Sequence, residues 1–203
     1  MKSIQDTQTE KAYWSKRWQT GQTGWDTGEI SPPLKAYFDG LRNKDLRILI
    51  PGAGNAHEAE YLHRNGFTDV TVLDIASEPL AALQKRLPDF PGARLVNENF
   101  FDFKGSYDLV AEQTFFCSFP PAPKNRKAYA AKMSELIIPG GKLVGLWFKT
   151  PLDPTGNRPF GGTKEEYLSY LQPYFEVRTF EECYNSIVPR AGNELFGEFV
   201  RRG

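Results

Sequence analysis

Cysteine, methionine and histidine are scarce in this chain, two of each among 203 residues. Cys117 and Cys183 show no metal-type spacing and no secretory context, so two reduced thiols and no disulfide are expected, with Cys117 the one nearer a site. His57 and His63 fall too far apart on one expected helix to act as paired metal ligands, and no metal is expected. Charge of one sign is missing too: 25 Lys and Arg balance 25 Asp and Glu, and the pI is about 6.8. That balance lacks the basic footprint of a nucleic-acid or anionic-membrane binder and leaves a small molecule as the expected partner. No apolar run reaches the length of a membrane span, and the opening Met1-Lys2-Ser3-Ile4-Gln5-Asp6-Thr7-Gln8 has no apolar signal core. A cytoplasmic monomer is therefore expected, with residues 1–203 as one domain.

What is present divides at about residue 40. The first stretch is aromatic, polar and broken by glycine, and it reads as a helical lid and loop. Thr9 is expected to cap a helix through Trp14 and Trp18, and Gly21, Gly24 and Gly28 open a loop that ends at Ser31-Pro32-Pro33. A short helix, Leu34 to Phe38, follows. From Arg47 short apolar runs alternate with amphipathic segments, the pattern of βαβ units around a parallel sheet. Expected strands are Arg47–Ile50, Val70–Leu73, Arg94–Val96, Tyr107–Val110, Lys142–Trp147, Glu176–Glu182 and Leu195–Val200. Helices are expected from Ala56 to Arg64, from Ser77 to Pro88, and from Lys124 to Ile138 with Pro139-Gly140-Gly141 as its stop. Thr163-Lys164-Glu165-Glu166 fits a capping box for the last helix.

The first strand runs into Pro51-Gly52-Ala53-Gly54-Asn55-Ala56-His57-Glu58, a glycine turn opening a helix. About 22 residues beyond Gly52, Asp74 closes the second strand in Leu73-Asp74-Ile75, where a carboxylate can accept bonds from both ribose hydroxyls of an adenosine. Without Asp74 the turn would be no more than a strand-to-helix connection. A dinucleotide fingerprint needs a third glycine where His57 stands, so the expected cofactor is a nucleoside without pyrophosphate, S-adenosylmethionine (SAM). After the third strand, Asn97-Glu98-Asn99-Phe100 could hold the adenine, with Phe100 on its face. The fourth strand ends in Ala111-Glu112-Gln113-Thr114-Phe115-Phe116-Cys117, expected over the methionine end of the cofactor.

At these residues the chain resembles the thiopurine methyltransferase superfamily, and within it the halide and thiol methyltransferase branch, over nearly its whole length. The resemblance rests on Trp14 and Trp18 with Gly21-Gln22-Thr23-Gly24-Trp25-Asp26, on Ile50-Pro51-Gly52-Ala53-Gly54, on Asp74, and on Phe115-Phe116-Cys117 followed by Pro139-Gly140-Gly141. It implies a Rossmann-like class I SAM-dependent methyltransferase fold: a seven-stranded, mostly parallel sheet with helices on both faces and an antiparallel last strand. An N-terminal helix, within residues 1–40, would fold over the cofactor. The resemblance places Trp14, Trp18, Trp25, Gly52, Asp74, Asn99 and Phe100 on cofactor-contacting positions, and Gly54, Ile75 and Glu112 complete the expected cofactor set. Two departures stand out. Ala53 replaces a cysteine common in the family, and Glu112-Gln113 replaces the Asp-Tyr or Asp-Arg pair that faces the methyl group there.

Trp14 and Trp18 share one helix face, from which an indole can attract a sulfonium cation by up to about 2 kcal/mol when desolvated; they can equally dock the helix on the core. Transfer to a small soft nucleophile, such as a thiol, hydrosulfide, halide or thiopurine-like compound, needs alignment more than a base. Gln113 and Glu112 are the candidate acceptor-facing residues, and Arg158 and Tyr184 are further candidates to orient the acceptor, although Arg158 also reads as a solvated loop charge. Two other readings stay open: a non-catalytic SAM-binding protein of the same fold, and an NAD-dependent oxidoreductase, which His57 disfavours.

Overall fold

A computed structural model describes residues 7–149 and 156–203. Pro154 and Thr155, part of the Gly/Pro-rich segment that carries Arg158, lie outside the described residues, as do the first six residues. The chain forms two compact units divided between Lys104 and Gly105.

In the first unit, α1 (Thr7–Gln19) and α2 (Pro32–Asp39) precede β1 (Ile48–Pro51), α3 (His57–Arg64), β2 (Val70–Asp74), α4 (Glu78–Arg86) and β3 (Leu95–Asn97). The strands pair in parallel, β3 to β2 to β1, with Ile48 opposite Val70 and Asp74 opposite Asn97. Every residue of β1 and β2 is buried, as the unbroken apolar runs require of strands covered on both faces. Leu34 and Phe38 from α2, Ala59 and Leu62 from α3, and Leu80 and Leu83 from α4 supply the matching helix faces. Helix α1 is different, because it buries no residue at all. Thr9 lies inside α1 and does not cap it, since the helical hydrogen bonding already includes Thr7.

In the second unit, β4 (Tyr107–Gln113) leads through α5 (Pro123–Leu136) to β5 (Ile137–Phe148), then α6 (Lys164–Leu171), β6 (Phe175–Glu182) and β7 (Glu194–Arg201). Strand β4 runs parallel to β5, and β7 lies antiparallel between β5 and β6. The expected capping box forms: Glu166 N donates to Thr163 Oγ1 at 3.1 Å. Pro139-Gly140-Gly141 does not end a helix. Helix α5 stops at Leu136, and the triplet is a bulge inside β5, where Ile137 pairs with Tyr107 and the next pair is Lys142 with Leu109. Gly140, at φ 79°, makes the detour, and a Cβ on Gly141 would come within 3.0 Å of Asp108 O. Trp147, Phe180 and Phe199 pack edge to face or tilted at 5.2 to 5.6 Å and fill one part of the core. Among the described residues, no helix is long and apolar enough to cross a membrane.

Candidate functional site

The glycine turn follows β1 directly. Gly52 and Gly54 sit at φ 56° and 53°, left-handed values that a side chain would strain, and the backbone there lies open to close approach. Gly52 N donates to Leu73 O at 2.8 Å, tying the turn to the end of β2. Asp74, the last residue of β2, turns its carboxylate to the same place: Oδ2 accepts from Gly54 N at 3.4 Å and Oδ1 from Ala76 N at 2.9 Å. Burial pushes this carboxyl up to about 6, against the lowering by those two amides. Two bonds leave carboxylate lone pairs free for further donors.

Around this turn the first unit gathers most of the residues singled out from the sequence. Trp25 stacks edge on between two indoles of α1, with ring centroids 5.5 Å from Trp14 and 5.8 Å from Trp18. Its Nε1 edge lies against the turn, where a Cβ added to Gly54 would meet it at 3.4 Å. Ile75 is half-buried, and its carbonyl accepts from Asn97 Nδ2 at 2.9 Å. Asn99 is buried; its Nδ2 donates to Thr7 Oγ1 at 2.7 Å and its Oδ1 accepts from Phe101 N at 2.9 Å, so it ties the loop after β3 to the start of α1. Phe100 is 5% exposed and packs edge to face on Phe101.

The Asp26 side chain in this region went unassigned from the sequence. Asp26 accepts from His57 Nε2 at 2.8 Å, Asn55 Nδ2 at 2.5 Å and Gly28 N at 3.1 Å. Partial burial pushes the Asp26 carboxyl up, but those bonds from Gly28, His57 and Asn55 outweigh it and hold it below the usual carboxylate range. The only sequence signal was the Trp25-Asp26 pair itself, since its partners lie about thirty residues on.

The second unit positions the remaining candidates at the end of β4. Glu112 is 1% exposed: its Oε2 accepts from Phe115 N at 2.6 Å and its Oε1 from Tyr129 OH at 3.0 Å. Burial pushes this carboxyl up to about 8, so the group is mostly protonated at neutral pH. Its visible work is to brace the turn that follows. Gln113 is half-buried, and its Oε1 is buried with no hydrogen-bond partner among the described residues. Thr114 takes φ 54°, unusual for a β-branched residue. Beyond it Phe115, Phe116 and Phe119 pack around the Tyr129 ring at 4.7 to 6.3 Å. Arg158 reaches this turn, donating from Nε to Ser118 O at 2.7 Å. Tyr184, the other candidate to orient the acceptor, is 93% exposed.

Cys117 is fully buried: its sulfur accepts from Phe148 N at 3.5 Å, and burial pushes the thiol up to about 12. Arg126, also fully buried, is a hub that no motif or spacing marked. It bonds Glu166 Oε1 at 3.0 Å and Gly161 O at 2.8 Å, with its guanidinium over the rings of Phe116 and Tyr167.

Comparison with known proteins identifies the family of the chain. The family model for thiopurine S-methyltransferase matches residues 9–200. A probable thiol methyltransferase 2 of Arabidopsis thaliana is 30% identical over 195 residues, covering 93% of this chain and 84% of its own. Thiocyanate methyltransferase 1 of Brassica oleracea is also 30% identical, covering 95% and 86%. Among solved structures, the Burkholderia thailandensis 1,6-didemethyltoxoflavin-N1-methyltransferase with bound 1,6-didemethyltoxoflavin and S-adenosylhomocysteine has a TM-score of 0.73 at 16% identity, covering 100% of this chain and 93% of that one. The fold is that of the class I methyltransferases, a seven-strand mixed sheet with an antiparallel last strand. Sequence and fold together make this chain a member of the thiopurine S-methyltransferase family.

Proposed function

We propose that the chain is a SAM-dependent methyltransferase acting on a small soft nucleophile, such as a thiol, hydrosulfide, thiocyanate or halide. The observation that carries this reading is the meeting of the left-handed glycine turn, the Asp74 carboxyl and the Trp14, Trp18 and Trp25 indoles around one stretch of backbone. These residues suit an adenosyl sulfonium. A partly satisfied carboxylate takes hydroxyl donors, glycine backbone admits a close nucleoside, and indole faces favour a cation.

SAM supplies a methyl group on a positively charged sulfur. In the proposed scheme Asp74, Gly52 and Gly54, with Ile75, Asn99 and Phe100, hold the nucleoside, and the three tryptophans wall off water from the charged centre. Gln113 orients the acceptor with an amide oxygen that has no partner among the described residues, while the neutral, buried Glu112 fixes the turn that carries it. Arg158 contributes positive charge beside the turn that follows β4. No residue is assigned as a base, because a thiol with an ordinary value of about 8.5 is already partly ionised near neutrality and needs chiefly alignment at about 3 to 3.5 Å. A dinucleotide reading is weaker, because the third glycine of that fingerprint is His57, whose ring is held by Asp26. The same proposal takes the enzyme as a cytoplasmic monomer with no nucleic-acid substrate, in keeping with its zero net charge.

The deciding experiment incubates purified protein and SAM with a panel of thiols, hydrosulfide, thiocyanate and halides, and detects methylated products by mass. Methylation of at least one soft nucleophile is expected. SAH binding without turnover on any of them would favour a non-catalytic binder, and no SAH binding by calorimetry would end the proposal.

A further inference from the structure

We infer that Asp26 and His57 are positioning residues, a polar clasp that seats Trp25 on the glycine turn and through it sets the indoles of α1. The inference rests on the reading of that turn as the SAM site.

Helix α1 raises the question of what holds it. It buries no residue, so apolar packing of its own face does not fix its place, and a segment with so little burial belongs to the low-stability end of a fold. Its side-chain ties include polar ones: Ser15 and Gln19 donate to Glu78 at 3.0 and 2.8 Å, Lys11 donates to Asn97 at 3.2 Å, and Thr7 accepts from Asn99 at 2.7 Å. Trp25 is an aromatic platform for the helix, touching both Trp14 and Trp18. Whatever fixes Trp25 therefore fixes the aromatic wall.

Trp25 lies in a segment without regular structure, and the next residue supplies the anchor. The Asp26 carboxylate spans Asn55 and His57, which flank Ala56 at the exit of the glycine turn, and also takes Gly28 N from its own loop. The clasp is partly shielded, with the side chains of His57 and Asp26 19% and 25% exposed, so it is stronger than a fully solvated pair. His57 is the first residue of α3, and Arg86 from α4 holds the Asn55 carbonyl at 2.5 Å. The far side of the clasp is thus rigid, and the loop is the part that is positioned. This gives a purpose to a histidine at the place where a dinucleotide site would need glycine.

The test is a double-mutant cycle of Asp26→Ala, His57→Ala and the double variant, with Asp26→Asn and His57→Gln as conservative replacements. Two measurements are made on each folded protein: acrylamide quenching of tryptophan fluorescence without ligand, and SAH affinity by calorimetry. Each alanine variant is expected to raise the quenching constant about twofold and the SAH Kd about tenfold, with the double variant no worse than either single. His57→Gln, which keeps an N–H donor, should recover most of the loss. In turnover, KM for SAM should rise with kcat held within about twofold. Unchanged quenching and affinity in the singles, or fully additive effects in the double, would overturn the clasp; a purely structural pair would lower the urea midpoint and leave both readouts unchanged. If the parent protein binds no SAH, the SAM reading fails on its own, and the quenching cycle still decides whether Asp26 and His57 hold Trp25.

Discussion

Tyr129 donates its phenolic hydrogen to Glu112 at 3.0 Å, inside a core where the carboxyl is 1% exposed. A charged carboxylate there would face one phenol, the amides of the next turn and a wall of phenylalanine rings, so the neutral acid is the stable form.

This fixes a pH dependence of stability. The folded-state value of Glu112, about 8, lies above its ordinary 4.5, so the folded chain binds the proton more tightly than the unfolded one. The stabilisation is complete below about 4.5 and is lost as pH rises to about 8. Between pH 6 and pH 8 this group alone costs about 3 kcal/mol, two units at roughly 1.4 each. Urea unfolding at the two pH values should show Glu112→Gln losing most of that slope.

Asp74 titrates in the opposite sense for binding. In the proposed SAM site, ribose hydroxyls would donate to the ionised carboxylate, whose value of about 6 predicts SAH affinity that is full well above pH 6 and falls about tenfold per unit below it. Asp74→Asn should bind SAH about 10 to 100 times more weakly, with little pH dependence left. Calorimetry at pH 5 and pH 8 on both proteins checks this, and equal affinity in the variant would remove Asp74 from the site.

Gln113→Ala should act on acceptor choice. Its buried amide oxygen has no partner within the described chain, so removing it alters what the acceptor must offer. The expected result is a change of about tenfold or more in the kcat/KM ratio between a thiol bearing hydrogen-bond donors and iodide, with SAH affinity unaltered.

Arg126→Ala removes the hub that joins the 156–162 segment to α5 and α6. Two hydrogen bonds and two cation–π contacts are lost, costing about 2 to 4 kcal/mol. Thermal unfolding measures the loss, and limited proteolysis should cut faster between residues 156 and 162.

Much of the fold was legible because β-branched and aliphatic runs such as Ile48-Leu49-Ile50 and Val70-Thr71-Val72 have only one use, as strands buried on both faces. Pro139-Gly140-Gly141 misled for a local reason: the residues that stop a helix also make a bulge, and only pairing with β4 tells the two apart. The nearness of Gly54 and Asp74 follows from βαβ geometry, which sets adjacent parallel strand ends side by side, so spacing alone pointed to it. Asp26 with His57, and Arg126 with Gly161, join residues separated by 31 and 35 positions through loops whose paths no periodicity records. Thr114 carries no sign of its left-handed backbone either, since nothing about a threonine announces φ 54°.

The proposed chemistry on soft nucleophiles sets the donor beside a chain with two thiols of its own, and their setting bears on whether the protein can modify itself. Cys117 is sealed beneath Tyr167 and the Phe148 amide with its proton held tightly, and Cys183 is also buried. Neither sulfur lies open to an alkylating donor, so self-methylation during repeated turnover is not expected at either position.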